Sequence, residues 1–523
     1  MMGDKNKESC SMLKRLPIGQ QDFAGLIEWN GIYADKTKII YDLLNLSQYV
    51  FLSRPRRFGK SLLISTLKNL FEGKKELFKG LWIENNFDWK EVPVIKIDFN
   101  RSSFFRRSLS LAINEMLDES SEQYNLQLSS DDNKKRLIEL IQKLYKKTGE
   151  RVVLLIDEYD KPIVDSINDI QKAEENREIM RNFYGAIKGC SEMLRFVLIT
   201  GISRFSKMSV FSELNNLADI SMDKNFAAIC GFTKDDLNEY FSEYKDAACE
   251  ELEISRVELD EKIRFWYDGY KFDGKTHIYN PFSILNFFSK KEFRNYWFES
   301  GLPKLLVDFI REHGIDIKEL ENTAISELDL NNFDVTKIDI KALMFQTGYL
   351  TIVGKNENGK YLLDYPNEEV RQSFAAYLLT NFTDQKYGNH DDKMLDSLRA
   401  GDIDGFIESV NALFASIPYQ IIPKENENYF SSLIYVMFRV LAVNITNELS
   451  SYKGRADAVI KTKDSIYIFE YKMAPTTALE GINQIKIKGY ADEFAADPRK
   501  KIAVSIVVDK EKRCVSEYLK EDL

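Results

Sequence analysis

Residues 50–62 constrain the fold of this chain more than any other segment. An apolar run is followed by a short loop, by Gly59-Lys60-Ser61, and by an amphipathic helical pattern that starts at Leu62. This is the order of a phosphate-binding loop, in which backbone N–H groups at a helix start face phosphate oxygens. In such a loop Lys60 would reach the β- and γ-phosphates, and the Ser61 hydroxyl would ligate Mg²⁺. The alternative is a basic surface loop before a helix.

The loop departs from the usual pattern at one position. Arg54 stands where G-x-x-x-x-G-K-[ST] has its first glycine, and Arg56 and Arg57 follow closely. We therefore predict a variant loop that is rich in arginine. The residues predicted to bind the nucleotide, ATP, are Arg57, Phe58, Gly59, Lys60, Ser61, Leu62, Asp157 and Thr200.

An acidic pair follows a second apolar run. Residues 152–156 are five consecutive apolar residues, three of them β-branched, and predict a buried parallel strand. Asp157 and Glu158 come at its carboxyl end, where ligands bind in open α/β sheets. There Asp157 would hold Mg²⁺ alongside Ser61, and Glu158 would polarise an attacking water. A helix start enriched in acids is the alternative.

Further strand patterns complete this part of the chain. The run 195–200 ends at Thr200, which would touch the γ-phosphate or the water, although a turn with a satisfied hydroxyl explains it as well. Apolar strand runs alternate with longer helical stretches from 13 to about 220, which predicts an α/β domain with a parallel sheet.

The middle of the chain is predicted to be a helical lid followed by a second module. Thr233 and Asp236 match a capping box at a helix start. The aromatic turn 266–272 is attributed to packing, with base stacking as the alternative. A helix over 339–347 and strands over 349–353 and 361–365 predict a winged-helix-like module. We expect a structural role for this module, because its charges are mixed rather than basic; DNA binding is the alternative.

Two adjacent strand patterns near the C-terminus present charged side chains. Asp457 lies on the first, and Glu470 and Lys472 lie on one face of the second, because strand side chains alternate. Asp457 and Glu470 are hard oxygen ligands that suit a shared Mg²⁺. Lys472 would orient or deprotonate an attacking water and stabilise developing charge. These three residues are the predicted catalytic groups besides Glu158; a fold retained with a dead site is the alternative.

Taken together, five segments resemble the AAA-ATPase-like family of bacteria and archaea, whose members often carry a PD-(D/E)XK nuclease-like domain. The segments are 16–19, 33–37, 53–61, 157–160 and 279–283. The resemblance covers nearly the whole chain, includes arginine at position 54, and implies a relation to STAND-type signalling ATPases. It also implies that Glu448 is a further metal ligand with Asp457 and Glu470, and that Gln484 and Tyr490 lie near the active face.

The predicted fold class is therefore a multidomain α/β protein. The predicted parts are a disordered tail (1–12), an AAA-like P-loop core with a parallel sheet (13–220), a helical lid (221–299), a winged-helix-like module (300–395) and a PD-(D/E)XK nuclease-like α/β domain (396–523). A chain of 523 residues is too long for one core, which agrees with several domains.

Composition limits the partners and the compartment. The net charge of −10 argues against a nucleic-acid binder that uses its whole surface. Five scattered cysteines without paired spacing, no signal sequence and no long apolar run predict a cytoplasmic protein with no membrane partner. The predicted cofactors are ATP and Mg²⁺, DNA or RNA are candidate partners, and a homo-oligomer is left open.

Two functions are compatible with these patterns. In the first, ATP binding or hydrolysis regulates a Mg²⁺-dependent nuclease. In the second, ATP occupancy sets a signalling state, and the C-terminal domain only binds a partner or DNA. The presence of Lys472 favours the first function, and the negative net charge favours the second.

Overall fold

The computed structural model describes most of the chain. The described residues are 13–101, 108–166, 169–204, 210–211, 214, 216–297, 306–307, 309–310, 315, 317–331, 339–383, 391–415, 432–438, 440–441, 457–509 and 511–523. They fall into two compact units, one within Met1–Glu299 and Ala324–Asn367, and the other within Ser300–Thr323 and Glu368–Leu523. The predicted domain boundaries at 220, 299 and 395 stay predictions.

The first unit is built on a five-stranded parallel sheet with the strand order β2-β3-β4-β1-β5. The strands are β1 (Tyr49–Ser53), β2 (Val94–Asp98), β3 (Val152–Asp157), β4 (Leu194–Gly201) and β5 (Ala218–Asp219). Every residue of β1 and β3 is buried, as expected for parallel strands covered on both faces. The predicted fold class and its parallel sheet are confirmed.

Helices alternate with these strands along the chain. They are α1 (Phe23–Glu28), α2 (Thr37–Leu44), α3 (Lys60–Phe71), α4 (Leu109–Glu122), α5 (Asn133–Thr148), α6 (Lys161–Val164) and α7 (Ile170–Gly189). Because α3 follows β1 directly, its N-terminus lies at the carboxyl edge of the sheet. Register places Leu52 of β1 beside Thr200 of β4, so the ends of the predicted motif strands meet at that edge.

A helical segment follows the sheet, with α8 (Lys234–Tyr240), α9 (Ser242–Leu252), α10 (Arg256–Tyr267) and α11 (Pro281–Lys290). The predicted capping box is confirmed: Thr233 and Asp236 exchange hydrogen bonds at the start of α8. The aromatic turn after α10 packs inward, with Tyr267 and Tyr270 almost completely buried, in agreement with the packing interpretation.

The first unit ends in a small helix-and-hairpin module. It contains β6 (Thr323–Ile325), α12 (Glu327–Asn331), α13 (Ile340–Thr347), β7 (Thr351–Lys355) and β8 (Tyr361–Asp364), with β7 and β8 antiparallel. Strand β7 begins two residues later than predicted, because the Tyr349 and Leu350 amides bond back to the Met344 carbonyl at the end of α13.

The second unit carries a four-stranded mixed sheet with the order β12-β11-β10-β9. Its elements are α14 (Glu368–Thr383), α15 (Asp391–Ala400), α16 (Ile403–Ala415), β9 (Ala458–Lys461), β10 (Ser465–Met473), α17 (Ala478–Ile487), β11 (Lys500–Asp509) and β12 (Cys514–Asp522). Strands β10 and β11 are parallel, and α17 is the crossover between them. Ile482 and Ile485 of α17 pack on the sheet.

Candidate active sites

The glycine-lysine-serine segment forms the turn into α3. Gly59 has a φ of 97°, a left-handed conformation that favours glycine, and Arg57 has a φ of 65°. Gly59 caps α3 without a side chain. The backbone N–H groups of Lys60, Ser61 and Leu62 therefore lie in the first helical turn, where side-chain oxygens do not compete with a ligand.

The Lys60 side chain is buried within its own loop. Its Nζ donates to the carbonyl oxygens of Arg54 at 2.9 Å and of Pro55 at 3.0 Å. The ammonium thus lies inside the turn, and its positive charge opposes the rise that burial causes in the pKa of Glu158. To meet the phosphates of a nucleotide, Lys60 Nζ would exchange these two carbonyl oxygens for phosphate oxygens.

Arg54 is the most deeply buried charged residue of the loop, with an exposed fraction of 1%. Its guanidinium donates to the carbonyls of Ser53 (2.9 Å), Ser221 (2.7 Å), Phe226 (3.3 Å) and Ala227 (3.5 Å). It also lies 4.1 Å above the Phe272 ring. Burial lowers its pKa to about 10. Arg54 therefore ties the loop to the segments that follow β5 and α10.

Two more loop side chains point to the helical segment. Phe58 is fully buried and makes edge contacts with Tyr270 and Phe272, at ring distances of 4.8 and 5.3 Å. The Arg57 guanidinium lies 3.7 Å above the Phe282 ring. Because the Phe58 side chain packs against these rings, only the backbone of Phe58 would be available to contact a nucleotide.

Asp157 and Thr200 come together at the carboxyl ends of β3 and β4. The Thr200 hydroxyl donates to Asp157 Oδ1 at 2.7 Å, and both side chains are completely buried. Among the described residues, Asp157 Oδ2 is buried and accepts no hydrogen bond. A buried carboxylate oxygen of this kind suits a cation, so the donor set fits Mg²⁺.

Glu158 has an unusual backbone, with a φ of 49°. Non-glycine residues adopt this left-handed conformation at helix C-caps, such as Glu253 and Lys291, and also at active sites. Burial raises the pKa of Glu158, whereas the Lys60 charge and a hydrogen bond from Asn100 oppose that rise. The contact with Asn100 was not predicted, because Asn100 follows β2 and no local pattern links it to Glu158.

Asp160 is a further buried acid, for which the sequence predicted no role. It accepts hydrogen bonds from the backbone N–H groups of Ile202 (3.1 Å) and Ser203 (2.6 Å) and from the Ser203 hydroxyl. Burial raises its pKa. Asp160 thereby fixes the residues that follow Thr200. The repeated acid in Asp157-Glu158-Tyr159-Asp160 was the available signal.

The C-terminal charged residues form a hydrogen-bonded cluster in the second unit. Lys472 Nζ donates to Glu470 Oε1 at 2.8 Å and to Gln484 Oε1 at 2.7 Å, and Gln484 Nε2 donates to Glu470 Oε1 at 2.6 Å. Gln484 Nε2 also donates to the Tyr490 hydroxyl oxygen at 3.4 Å. Glu470 is 4% exposed. Strand β10, helix α17 and the turn after α17 thus bring these four residues together.

Asp457 immediately precedes β9, the strand that pairs with β10. Its Oδ2 accepts a hydrogen bond from the Tyr471 N–H at 3.0 Å, which fixes the carboxylate beside the Glu470–Lys472 segment. The predicted third acid, Glu448, lies outside the described residues. Within the described part of the chain, no three Asp, Glu, His or Cys side chains are grouped as a metal site. Two oxygen donors, Asp457 and Glu470, are nevertheless of the type that Mg²⁺ takes.

Gly481 lets α17 approach the sheet closely. A Cβ at this position would lie 2.1 Å from Ser505 Oγ and 2.9 Å from Ser505 Cβ. Ser505 is completely buried and is the register partner of Glu470 on β11. The close contact therefore sets the height of α17 above the strand that carries Glu470, and with it the reach of Gln484.

We expect Gly481→Ala to lower the free energy of unfolding by about 2 kcal/mol, because overpacking against Ser505 outweighs the gain in helix propensity. In a Ser505→Gly background the clash disappears, and the same substitution should raise stability by roughly 1 kcal/mol. Urea unfolding of the four proteins measures both changes. An equal effect of Gly481→Ala in the two backgrounds would contradict the close contact.

Among the described residues, no helix is both long enough and apolar enough to cross a membrane. The four cysteines in the described chain, Cys190, Cys230, Cys249 and Cys514, are free thiols.

Comparison with known proteins finds a family match for each of two parts of the chain. Residues 17–211 match a family model described as Predicted AAA-ATPase, and residues 425–518 match one described as PD-(D/E)XK nuclease superfamily. An uncharacterized protein in the vnfD 5' region of Azotobacter chroococcum mcd 1 is 37% identical over 523 residues, which cover 98% of this chain and 99% of the relative. The chain belongs to the family of AAA-ATPase-like proteins that carry a C-terminal PD-(D/E)XK nuclease superfamily domain.

Proposed function

We propose that this protein binds and hydrolyses ATP, and that its nucleotide state controls Mg²⁺-dependent cleavage of phosphodiester bonds in nucleic acid. The observation that carries the proposal is the cluster of Glu470, Lys472 and Gln484 beside Asp457. Lys472 Nζ lies 2.8 Å from the buried Glu470 carboxylate. Burial of such an ion pair costs desolvation free energy, and charged pairs of this kind cluster at functional sites.

In the first unit, the loop residues would bind and orient the nucleotide. The α3 N-terminus would receive phosphate oxygens, and Lys60 would leave the Arg54 and Pro55 carbonyls to pair with the β- and γ-phosphates. Ser61 and Asp157 would hold Mg²⁺, which neutralises charge that develops on the phosphates. Glu158 would orient the attacking water, and Thr200 would contact the γ-phosphate.

In the second unit, Asp457, Glu470 and Glu448 would hold a second Mg²⁺, which would supply Lewis-acid activation of a water and of the scissile phosphate. Lys472 would orient the water and stabilise the negative charge that builds up during attack. Gln484 would keep Lys472 in place, since its amide bonds both Lys472 and Glu470. The substrate would be DNA or RNA.

We also propose that the protein acts in the cytoplasm, since its described cysteines are free thiols and the five cysteines show no paired spacing. The net charge of −10 requires that nucleic acid be bound over a restricted surface rather than over the whole molecule. This charge favours a second candidate function, a signalling switch in which ATP occupancy controls binding of a partner by the second unit.

The deciding experiment measures cleavage of single- and double-stranded DNA and RNA by the full chain in Mg²⁺, with and without ATP. We expect cleavage that changes with ATP, and loss of the ATP effect in Lys60→Ala, because that variant lacks the phosphate contact. Arg56→Ala, a half-buried arginine of the same loop, is the control. Nucleotide binding without cleavage of any substrate would favour the signalling switch.

A further inference from the structure

The C-terminal end of α13 contacts the candidate nucleotide site at two points. Gln346 Oε1 accepts a hydrogen bond from the Arg204 N–H at 2.9 Å, and Gly348 packs against Pro55. Gln346 is only 3% exposed, and its Nε2 donates to the Leu330 carbonyl at 3.2 Å. Its amide is therefore held between α12 and the loop after β4.

Each of these contacts leads to a different half of the site. Arg204 follows the segment that begins with Thr200, whose hydroxyl bonds Asp157, and Asp160 fixes Ser203 next to it. On the other side, the Pro55 carbonyl accepts a hydrogen bond from Lys60 Nζ. A change at the γ-phosphate position or at Lys60 would thus reach the same three residues, 346–348.

The contact with Pro55 leaves no spare room. Gly348 has a φ of 90°, and a Cβ there would lie 2.8 Å from Pro55 Cβ. Close-packed elements of this kind shift between discrete arrangements rather than deform continuously. A movement of the loop toward Gly348 would therefore press on the end of α13.

A second connection runs from the loop to the hairpin. Phe272 lies under Arg54 and against Phe58. The adjacent Lys271 N–H donates to Thr351 Oγ1 on β7 at 2.7 Å. Both α13 and β7 are thus connected to the loop that would hold the phosphates.

We propose that the end of α13, Gln346–Gly348, is the element that senses the nucleotide and conveys its state to the second unit. This inference rests on the proposed function, namely on ATP binding at Lys60. The sequence position of the element supports it: residues 324–367 belong to the first unit, and the chain on both sides continues into segments of the second. The element thus lies, in sequence, between the two chain connections that join residues 324–367 to the second unit.

Hydrogen–deuterium exchange of the full chain tests the proposal, with and without Mg²⁺ and a non-hydrolysable ATP analogue. We expect the analogue to change exchange of residues 340–364 by about fivefold or more, the lower range of ordinary allosteric couplings. In Gln346→Met, which keeps the shape but removes both hydrogen bonds, the analogue should still bind, and the change should fall below about twofold.

Gln48→Met is the matched control. Gln48 Nε2 bonds the Leu194 carbonyl at 2.6 Å, at the opposite end of β4, so this variant should keep the wild-type response. Bound analogue without a change at 340–364 in the wild type, or an unaltered response in Gln346→Met, would overturn the inference and leave ATP binding intact. A wild type that binds no analogue would overturn the proposed function first. The wild-type measurement decides even if Gln346→Met fails to fold.

Discussion

Replacing Lys472 by methionine is expected to reduce Mg²⁺-dependent cleavage by about 10³-fold, since a positioned group of this kind contributes 10²–10⁴ to the rate. Methionine keeps the length of the side chain but cannot donate to Glu470 or to Gln484. The rate of cleavage of a labelled substrate, measured at saturating Mg²⁺, checks this expectation. The preparation of the variant also reveals any contaminating nuclease.

The control for this prediction is Lys486→Met. Lys486 lies on α17, close in sequence to Gln484, but its Nζ pairs with Glu521 on β12 and half of its side chain is exposed. Its loss should change the cleavage rate by less than about twofold. Equal cleavage by Lys472→Met and the wild type would show that this cluster does not perform the chemistry.

The second large effect is expected at Arg54. Arg54→Gly restores the glycine of the common loop pattern, and yet we expect it to lower the free energy of unfolding by about 3 kcal/mol or more. The substitution leaves the carbonyls of Ser221 and Phe226 without the guanidinium and creates a cavity beside Phe272. Chemical denaturation of the first-unit transition measures the loss.

Two further variants separate charge from geometry. Arg54→Lys keeps the positive charge but lacks the planar fork that reaches several carbonyls, so we expect it to recover less than half of the loss. Arg56→Gly, in the same loop but half exposed, should cost no more than about 1 kcal/mol. If Arg54→Gly instead stabilised the protein, the hydrogen bonds of Arg54 would not contribute to the stability of the first unit.

The sequence was sufficient for features that depend on local pattern. The all-apolar run before Asp157 predicted β3 to within one residue, because a strand buried on both faces requires such a run. The Glu470–Lys472 pair was predicted to share a face, since alternation in a strand is a local property. The resemblance also placed Gln484 near these residues, which the hydrogen bonds bear out.

Local sequence patterns do not predict long-range contacts. Gln346 and Arg204 are separated by 142 positions, and Arg54 and Phe226 by 172. No sequence periodicity relates such pairs. The hydrogen-bond partners of the buried Arg54 guanidinium are carbonyls that only the folded chain brings next to it. The need for glycine at position 481 could not be predicted either, because it depends on the position of Ser505 on a neighbouring strand.

The interleaved order of the two units limits how the gene can change. The first unit comprises Met1–Glu299 and Ala324–Asn367, and the second comprises Ser300–Thr323 and Glu368–Leu523. A single recombination breakpoint anywhere in the gene therefore separates some segment from the unit to which it belongs. Replacement of the second unit by another domain would need several coordinated breakpoints. We therefore expect the two units to be inherited together, as in the relative whose similarity covers 98% of this chain.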